Sequence, residues 1–596
     1  MKAEAMSLTF LGNEGLVRIP FFQRGYVWNF ENWEDILTDL LDLEKGHFLG
    51  SLILKQLEKQ TGKPKEVLVI DGQQRLTTLS VLIRTLYNSF DDETQKNCES
   101  SIKNYLFFKK NQTDKEHYVK IEHSKIDKIY YQKVIKNEIS QDEFNAIDVE
   151  RPGNKTISKS NKILQCFKYF TERLSEIDVE SRLDLFNRLL DQENKILVII
   201  DLSEKEDEQA IFDTINSAGV RLSSADIIKN ALFQKALDLF SIEEVETLYN
   251  EHWQSVFSVD EDVINFWDTP RATGRLMRDN IEILLHSISV IKGFFDPDKH
   301  TLSDLSNLYK DYISGISKES LKLFIQEISK YARLFKEKIL VFNGSSLFAY
   351  QDSYSRLFHI LSVCEISTFH PYILSLFYKY DKNESKLIEE LHKVESFIIR
   401  RMITKSETKS YNKICKEFIK DNSAINAKIS EQTTSEIQKG LTSIPNKNAT
   451  LLLFWVELYR RENDSKQSMK ELKYNYSLEH IMPQKWEEHW SNIDVVDETN
   501  NVILDKEIAK RERYSKIYSI GNMTLLNSSL NTSIRNYELS RKIEGEGRKR
   551  GIRQYADLGI TRFDIIDKYD AGDKIWNEQR INERTTQLAN DILTIW

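Results

Sequence analysis

The chain has 596 residues, which at about 150 residues per domain is too long for a single core and reads as three or four folding units. With 40% hydrophobic, 29% charged and 11% aromatic residues, and only 20 Gly and 8 Pro, it is neither collagen-like nor broadly disordered. The formal charge of −9 argues against a surface positive throughout, yet residues 505–553 hold 12 Lys or Arg against 6 Asp or Glu, and any phosphate-binding surface is expected there.

In chain order, Gly50 to Leu54 and Val67 to Ile70 are short apolar runs bounded by turn or polar residues, and both predict strands. The second stops at Asp71-Gly72, after which Leu76, Leu79, Leu82 and Ile83 recur at helical spacing, giving a strand, a turn and a helix. Ile196 to Ile200 predicts a further buried strand, followed by a helix from about Asp207 to Gly219 and another opened by Ser223 to Asp226. These elements predict an α/β domain over residues 1–240. From 241 to 440 apolar positions keep 3.6 spacing, as at Leu305, Leu308, Tyr309 and Tyr312, with almost no strand signals, which predicts a helical connector. From 441 to 596 short segments rich in Asn, Ser and Pro surround His480 and lead into the basic stretch, predicting a third domain. The fold class expected is therefore multidomain, predominantly α with α/β. No apolar run approaches the ~20 residues needed to span a bilayer, and the N-terminus leads into no long apolar stretch, so neither a membrane span nor a secretory signal is expected and the location expected is cytoplasmic. Cys98, Cys166, Cys364 and Cys415 lie far apart with no C-x-x-C pair, which excludes a cysteine zinc site by spacing and predicts reduced, buried thiols.

Two constellations carry chemistry. Near the start stand Ile19-Pro20-Phe21-Phe22-Gln23-Arg24, then Phe48-Leu49-Gly50-Ser51, then Asp71-Gly72-Gln73-Gln74-Arg75. A D-G dipeptide after a strand is ordinarily a turn with a helix cap. Here Gln73, Gln74 and Arg75 fall in the first helical turn, where free N–H groups and the positive dipole end favour anions, so the turn is a candidate for holding nucleotide phosphates. Arg75 would add a bidentate donor, Asp71 a magnesium ligand or water-orienting carboxylate, and Arg24 could reach the same site. No Walker A sequence occurs. Asn216, Asp226 and Lys229 are read first as helix-end and capping residues, with a nucleotide or interface role as the minority view. Near the end stand Glu479-His480-Ile481-Met482-Pro483-Gln484 and Gly521-Asn522-Met523-Thr524-Leu525-Leu526-Asn527, with Asn531 nine positions after Asn522.

The C-terminal pair of segments resembles an HNH nuclease. Phosphodiester hydrolysis needs a base to activate water and a means of stabilising the leaving oxygen. Carried over, the resemblance makes His480 the general base, Glu479 and Asn531 ligands of Mg2+ or Mn2+, and Asn522 the residue fixing the loop that holds His480, with Arg535, Arg541 and Lys542 facing phosphates. The Cys pairs that bind structural zinc in many such domains are replaced by Asn527 and Leu530, and Glu479 stands where Asp is commoner. Neighbours on an ideal strand point to opposite faces, so Glu479 and His480 share a site only if the strand bends or ends there. The N-terminal constellation resembles the D-G-Q-Q-R domain, related to the ParB and sulfiredoxin fold, and Phe212 to Gly219 with Asp226 and Lys229 resembles that domain's end. Together the whole chain resembles GmrSD-type modification-dependent (type IV) restriction endonucleases. The resemblance implies a ParB/sulfiredoxin-like domain binding a nucleoside triphosphate (GTP, ATP or CTP) through Gln23, Arg24, Asp71, Gly72, Gln73, Gln74 and Arg75. It also implies a C-terminal ββα-metal nuclease and a role in antiphage defence against modified DNA, with homo-oligomer formation left open. The alternatives are a non-catalytic nucleotide-gated binding switch and an RNA-cleaving toxin.

Overall fold

Two of the apolar runs become central strands because both of their faces are covered. The computed structural model describes residues 2–596 apart from 43–47, 58–63, 112–113, 153–157, 159, 203–222, 274–275, 340, 466–467, 498, 528–535, 548 and 573. The chain forms two units, Met1–Tyr249 and Asn250–Trp596. In the first, a mixed six-stranded sheet runs in the order Lys2–Met6, Leu197–Leu202, Ser51–Gln56, Glu66–Asp71, Leu16–Arg18, Ile121–Glu122. Side chains alternate across it as the two-residue period requires. Leu52, Leu54, Val67 and Val69 enter the large core, while Ile53, Leu68 and Ile70 join Ile200 and Leu202 on the opposite face. Helix Gln73–Asn88 follows the strand Glu66–Asp71 after a single residue, Gly72, and buries nearly every position from Leu76 to Leu86 against the large core. Helix Ser224–Leu239 begins where the sequence places it, with Ser223 at its N-cap. The helix expected from Asp207 to Gly219 lies outside the described residues.

The second unit is helical around Asn446–Asn463, whose run Leu451 to Leu458 is almost entirely buried. That helix packs against the antiparallel pair Tyr476–His480 and Met523–Asn527 and against the C-terminal helix Glu578–Ile595. The strand Leu347–Ala349 pairs with Glu471–Lys473, so residues on both sides of the sequence boundary at 441 share one unit. The region read as nearly strand-free also contains the hairpin Pro270–Thr273 with Leu276–Asp279. Strands of three and four residues are too short to show a two-residue period above a helical background. Among the described residues no helix is long and apolar enough to cross a membrane. All four cysteines are free thiols; three are buried and Cys364 is half-buried.

Candidate functional site

At the N-terminal corner, Gly72 sits at φ 91° between strand and helix. A Cβ there would stand 2.2 Å from Leu52 Cδ2, so only glycine fits. Gln23 Nε2 donates to the carbonyls of Val69 and Ile70 at 2.9 and 3.2 Å. Gln73 Nε2 donates to Arg24 O at 3.1 Å, and Gln74 donates to Gly25 O at 3.0 Å while accepting from Val27 N at 2.9 Å. The three amides expected to hold a nucleotide thus bond backbone. They clamp the irregular, half-buried segment 23–27 onto the strand-to-helix corner, supplying partners that it does not find in regular structure.

The charged residues of the motif do come together. Arg75 Nη1 donates to Ser51 O at 3.0 Å, and its guanidinium lies over Gly50, where a Cβ would come within 2.6 Å of Cζ. Burial pushes the Asp71 carboxyl up, opposed by the Gly72 N–H and by the charges of Arg75 and Arg24. Burial lowers Arg24, against the attraction of Asp226 and then Asp71. Asp226 is more than a cap: Ser223 accepts its N–H at 3.1 Å, while its carboxylate meets Lys229 Nζ at 2.9 Å. Burial works to raise Asp226, but Lys229, Ser223 and Arg24 outweigh it and hold the carboxyl below its ordinary value. The corner therefore gathers Arg24, Asp71, Arg75, Asp226 and Lys229, the last two from a helix about 150 residues further on. Asn216 lies outside the described residues.

In the C-terminal constellation the strand Tyr476–His480 ends at His480, which pairs with Met523. Asn522 is fully buried and fills all its bonding capacity. Its Nδ2 donates to Met482 O and Ile517 O at 2.9 and 3.0 Å, and its Oδ1 accepts from Met482 N at 2.9 Å and Trp576 Nε1 at 3.1 Å. It ties down the turn that leaves His480. Gly521 approaches helix Glu578–Ile595 so closely that a Cβ would meet Ile581 O at 2.1 Å. Arg584, which the sequence did not single out, is buried and donates to Gly521 O and Met523 O at 2.9 and 2.5 Å.

Lys542 is not on the surface as the basic stretch suggested. It is fully buried, with Nζ 2.6 Å from Glu479 Oε1 and 2.7 Å from His480 O. Burial pushes Glu479 up and Lys542 down, each opposed by the other's charge. The His480 ring is half-buried, and its Nε2 has no hydrogen-bond partner among the described residues. Burial, then the Lys542 charge, lowers its pKa to about 4. Tyr518, 44% exposed, stands edge-on to it with centroids 5.8 Å apart.

A divalent ion does not fit at Glu479 as the described residues stand, because the Lys542 ammonium holds that carboxylate and no group of three acidic, His or Cys side chains converges. Asn531 and Arg535 lie outside the described residues. The rest of the basic stretch is thinned by pairing as well. Arg513 is buried against Glu578 at 2.7 Å, Arg553 meets both Glu544 and Asp570, and Arg541 pairs with Glu546 while lying 3.7 Å above the Tyr537 ring. Lys506, Lys510 and Arg511 stay exposed on helix Lys506–Ile517.

Residues 8–233 match the N-terminal domain of the GmrSD restriction endonucleases, and residues 430–591 match their C-terminal domain. An uncharacterized protein of Methanocaldococcus jannaschii is 25% identical over 289 residues, which is 42% of this chain and 43% of that protein, so the chain spans less than half of that relative's length. The D-G-Q-Q-R corner lies within the first family match and the His480 turn within the second, and the chain belongs to the GmrSD restriction endonuclease family.

Proposed function

We propose that this protein is a DNA endonuclease of antiphage defence, directed at modified DNA, whose N-terminal domain binds and hydrolyses a nucleoside triphosphate and whose C-terminal domain cuts the strand. The observation that carries the reading is His480 at a strand end, with a buried Nε2 that has no partner among the described residues, on a chain that matches both GmrSD domains. A pKa near 4 keeps that imidazole neutral at pH 7, so Nε2 accepts the proton of an attacking water. Approaching phosphates favour the protonated ring and raise its basicity toward the working range. Exposed Lys506, Lys510 and Arg511 meet the DNA backbone from the helix that precedes Tyr518.

At the N-terminal corner, Arg24, Arg75 and Lys229 supply positive charge beside the first turn of helix Gln73–Asn88, and Asp71 orients water. The glutamines hold the corner's shape. A ParB/sulfiredoxin-like fold for this domain and a ββα-metal fold for the nuclease belong to the same proposal. The test is cleavage of matched modified and unmodified phage DNA with each nucleoside triphosphate, with and without Mg2+, Mn2+ or a chelator. His480→Ala is expected to lose about 10²- to 10⁴-fold in cleavage while nucleotide hydrolysis persists. Undiminished cleavage by that variant removes His480 as the base.

A further inference from the structure

Between the two family matches the second unit has a half-open pocket of 320 Å³ that neither match covers. Helix Asn280–Lys292 presents Ile283, His286, Ser287 and Val290 to it, spaced as one helical face. Arg278 enters from the adjacent hairpin strand, and the far wall is the start of helix His370–Lys379 with the preceding Ser367 and Thr368.

Three observations select the charge of an occupant. Among the described residues lining the pocket none is Asp or Glu. The Arg278 side chain is only 8% exposed, its ion pair with Glu282 is stretched to 3.6 Å, and its Nε has no hydrogen-bond partner among the described residues. His370 Nδ1 is likewise buried and unpartnered, at a helix N-terminus whose cap position holds Phe369, with no side-chain cap bond. Buried polar groups left unsatisfied are costly, more so when charged, and an oxyanion here would satisfy them within the positive dipole field of the helix start. The first two helical residues add no backbone donor, since the His370 N–H donates to Ser367 O and Pro371 has none. The imidazoles of His286 and His370 are neutral at pH 7, pushed down to about 3 and about 4 by burial first and then by nearby charges that include Arg278, so each offers one N–H. The remaining wall is mixed, with Val290, Phe295 and Leu302 apolar and His300, Thr301 and Asn412 polar.

We propose that this pocket binds a small phosphate monoester, with its phosphate on the Arg278 and His370 side chains in the dipole field of the helix start and its organic part against Phe295 and Leu302. A guanidinium suits the role because its planar fork meets two phosphate oxygens at once. A volume of 320 Å³ lies at the lower end of small-molecule sites and holds one such molecule rather than a polymer.

The test is calorimetric titration of the full chain with orthophosphate, with a deoxynucleoside monophosphate and with the matching uncharged nucleoside. It is run in an Arg75→Ala background so that the N-terminal corner contributes little. The monophosphate is expected to bind at least tenfold more tightly than either of the others, and Arg278→Gln to weaken it by tenfold or more. Because Arg278→Gln could disturb the hairpin, Thr368→Glu is the second variant. It places a carboxylate beside the helix N-terminus, and is expected to abolish binding while leaving the melting temperature unchanged or raised. Absence of monophosphate binding in the Arg75→Ala chain overturns the proposal and leaves the nuclease reading standing. Equal binding by Thr368→Glu overturns it too, and orthophosphate binding as tightly as the monophosphate overturns the assignment to an ester.

Discussion

Lys542→Met separates two roles that the sequence could not tell apart. If Lys542 faced DNA, losing it would leave the fold intact and lower the slope of log affinity against log salt by about 0.9. In the structure the ammonium is fully buried between Glu479 and the His480 carbonyl, so the substitution strands a carboxylate that is itself 8% exposed. Breaking a buried pair by removing one partner costs about 3–5 kcal/mol. In a unit of about 350 residues that lowers the melting temperature by roughly 5 °C. The double variant Glu479→Leu/Lys542→Met removes both charges and is expected to recover most of the loss, since a buried ion pair replaced by apolar side chains is often neutral. The assays are thermal unfolding followed by tryptophan fluorescence and DNA binding at four salt concentrations. A Lys542→Met protein that melts like the parent and binds DNA with a flattened slope refutes the buried pairing.

Asn522→Ala removes four hydrogen bonds around the turn after His480, two of them to Met482, and is expected to cut DNA cleavage at least tenfold with a smaller loss of binding, measured as kcat against KM. Gly50→Ala forces a side chain into φ 110° and against the Arg75 guanidinium, so nucleotide hydrolysis should fall along with about 1–3 kcal/mol of stability; unchanged hydrolysis would show that Arg75 need not sit where it does. His359 is 4% exposed, accepts from Trp455 Nε1 at 3.1 Å, and is pushed by burial to about 4. Its unfolded value of 6.5 lies higher, so the unfolded chain takes up the proton first: the stability is fully present above pH 6.5 and is lost as pH falls toward 4, at up to about 1.4 kcal/mol per pH unit. Urea midpoints of wild type and His359→Phe should converge in slope above pH 7 and diverge below pH 6, and parallel curves throughout would remove His359 as a contributor.

The strand, turn and helix around Asp71 were legible because their apolar runs are long enough to impose a period, and His480 with Asn522 because their spacing is distinctive. Other features were not, for identifiable reasons. A lysine in a basic stretch reads the same on paper whether it meets solvent or a carboxylate, and only the fold brings residue 542 to residue 479, 63 positions away. An amide side chain serves a backbone carbonyl as readily as a ligand, so Gln23, Gln73 and Gln74 looked like binding residues until their partners were visible. Asp226 shows the reverse: its capping position hid the fact that its carboxylate joins Lys229 within the field of Arg24. The pocket at Arg278 could not be read at all, since its walls come from segments about ninety residues apart, each an ordinary helix start or end.

The two motifs share one construction. In each, irregular backbone follows a strand, half-buried in the first motif and buried in the second, and side-chain amides supply partners for it. Gln74 makes three such bonds and Asn522 three, with a fourth from the Trp576 ring, and in doing so they fix the segment after Arg24 and the turn after His480. A residue whose bonding capacity is spent on the scaffold has little left for a substrate, whereas His480 keeps Nε2 without a partner among the described residues. Gln74 and Asn522 thus hold their corners, and the unspent Nε2 of His480 is the feature on which its proposed role as base rests.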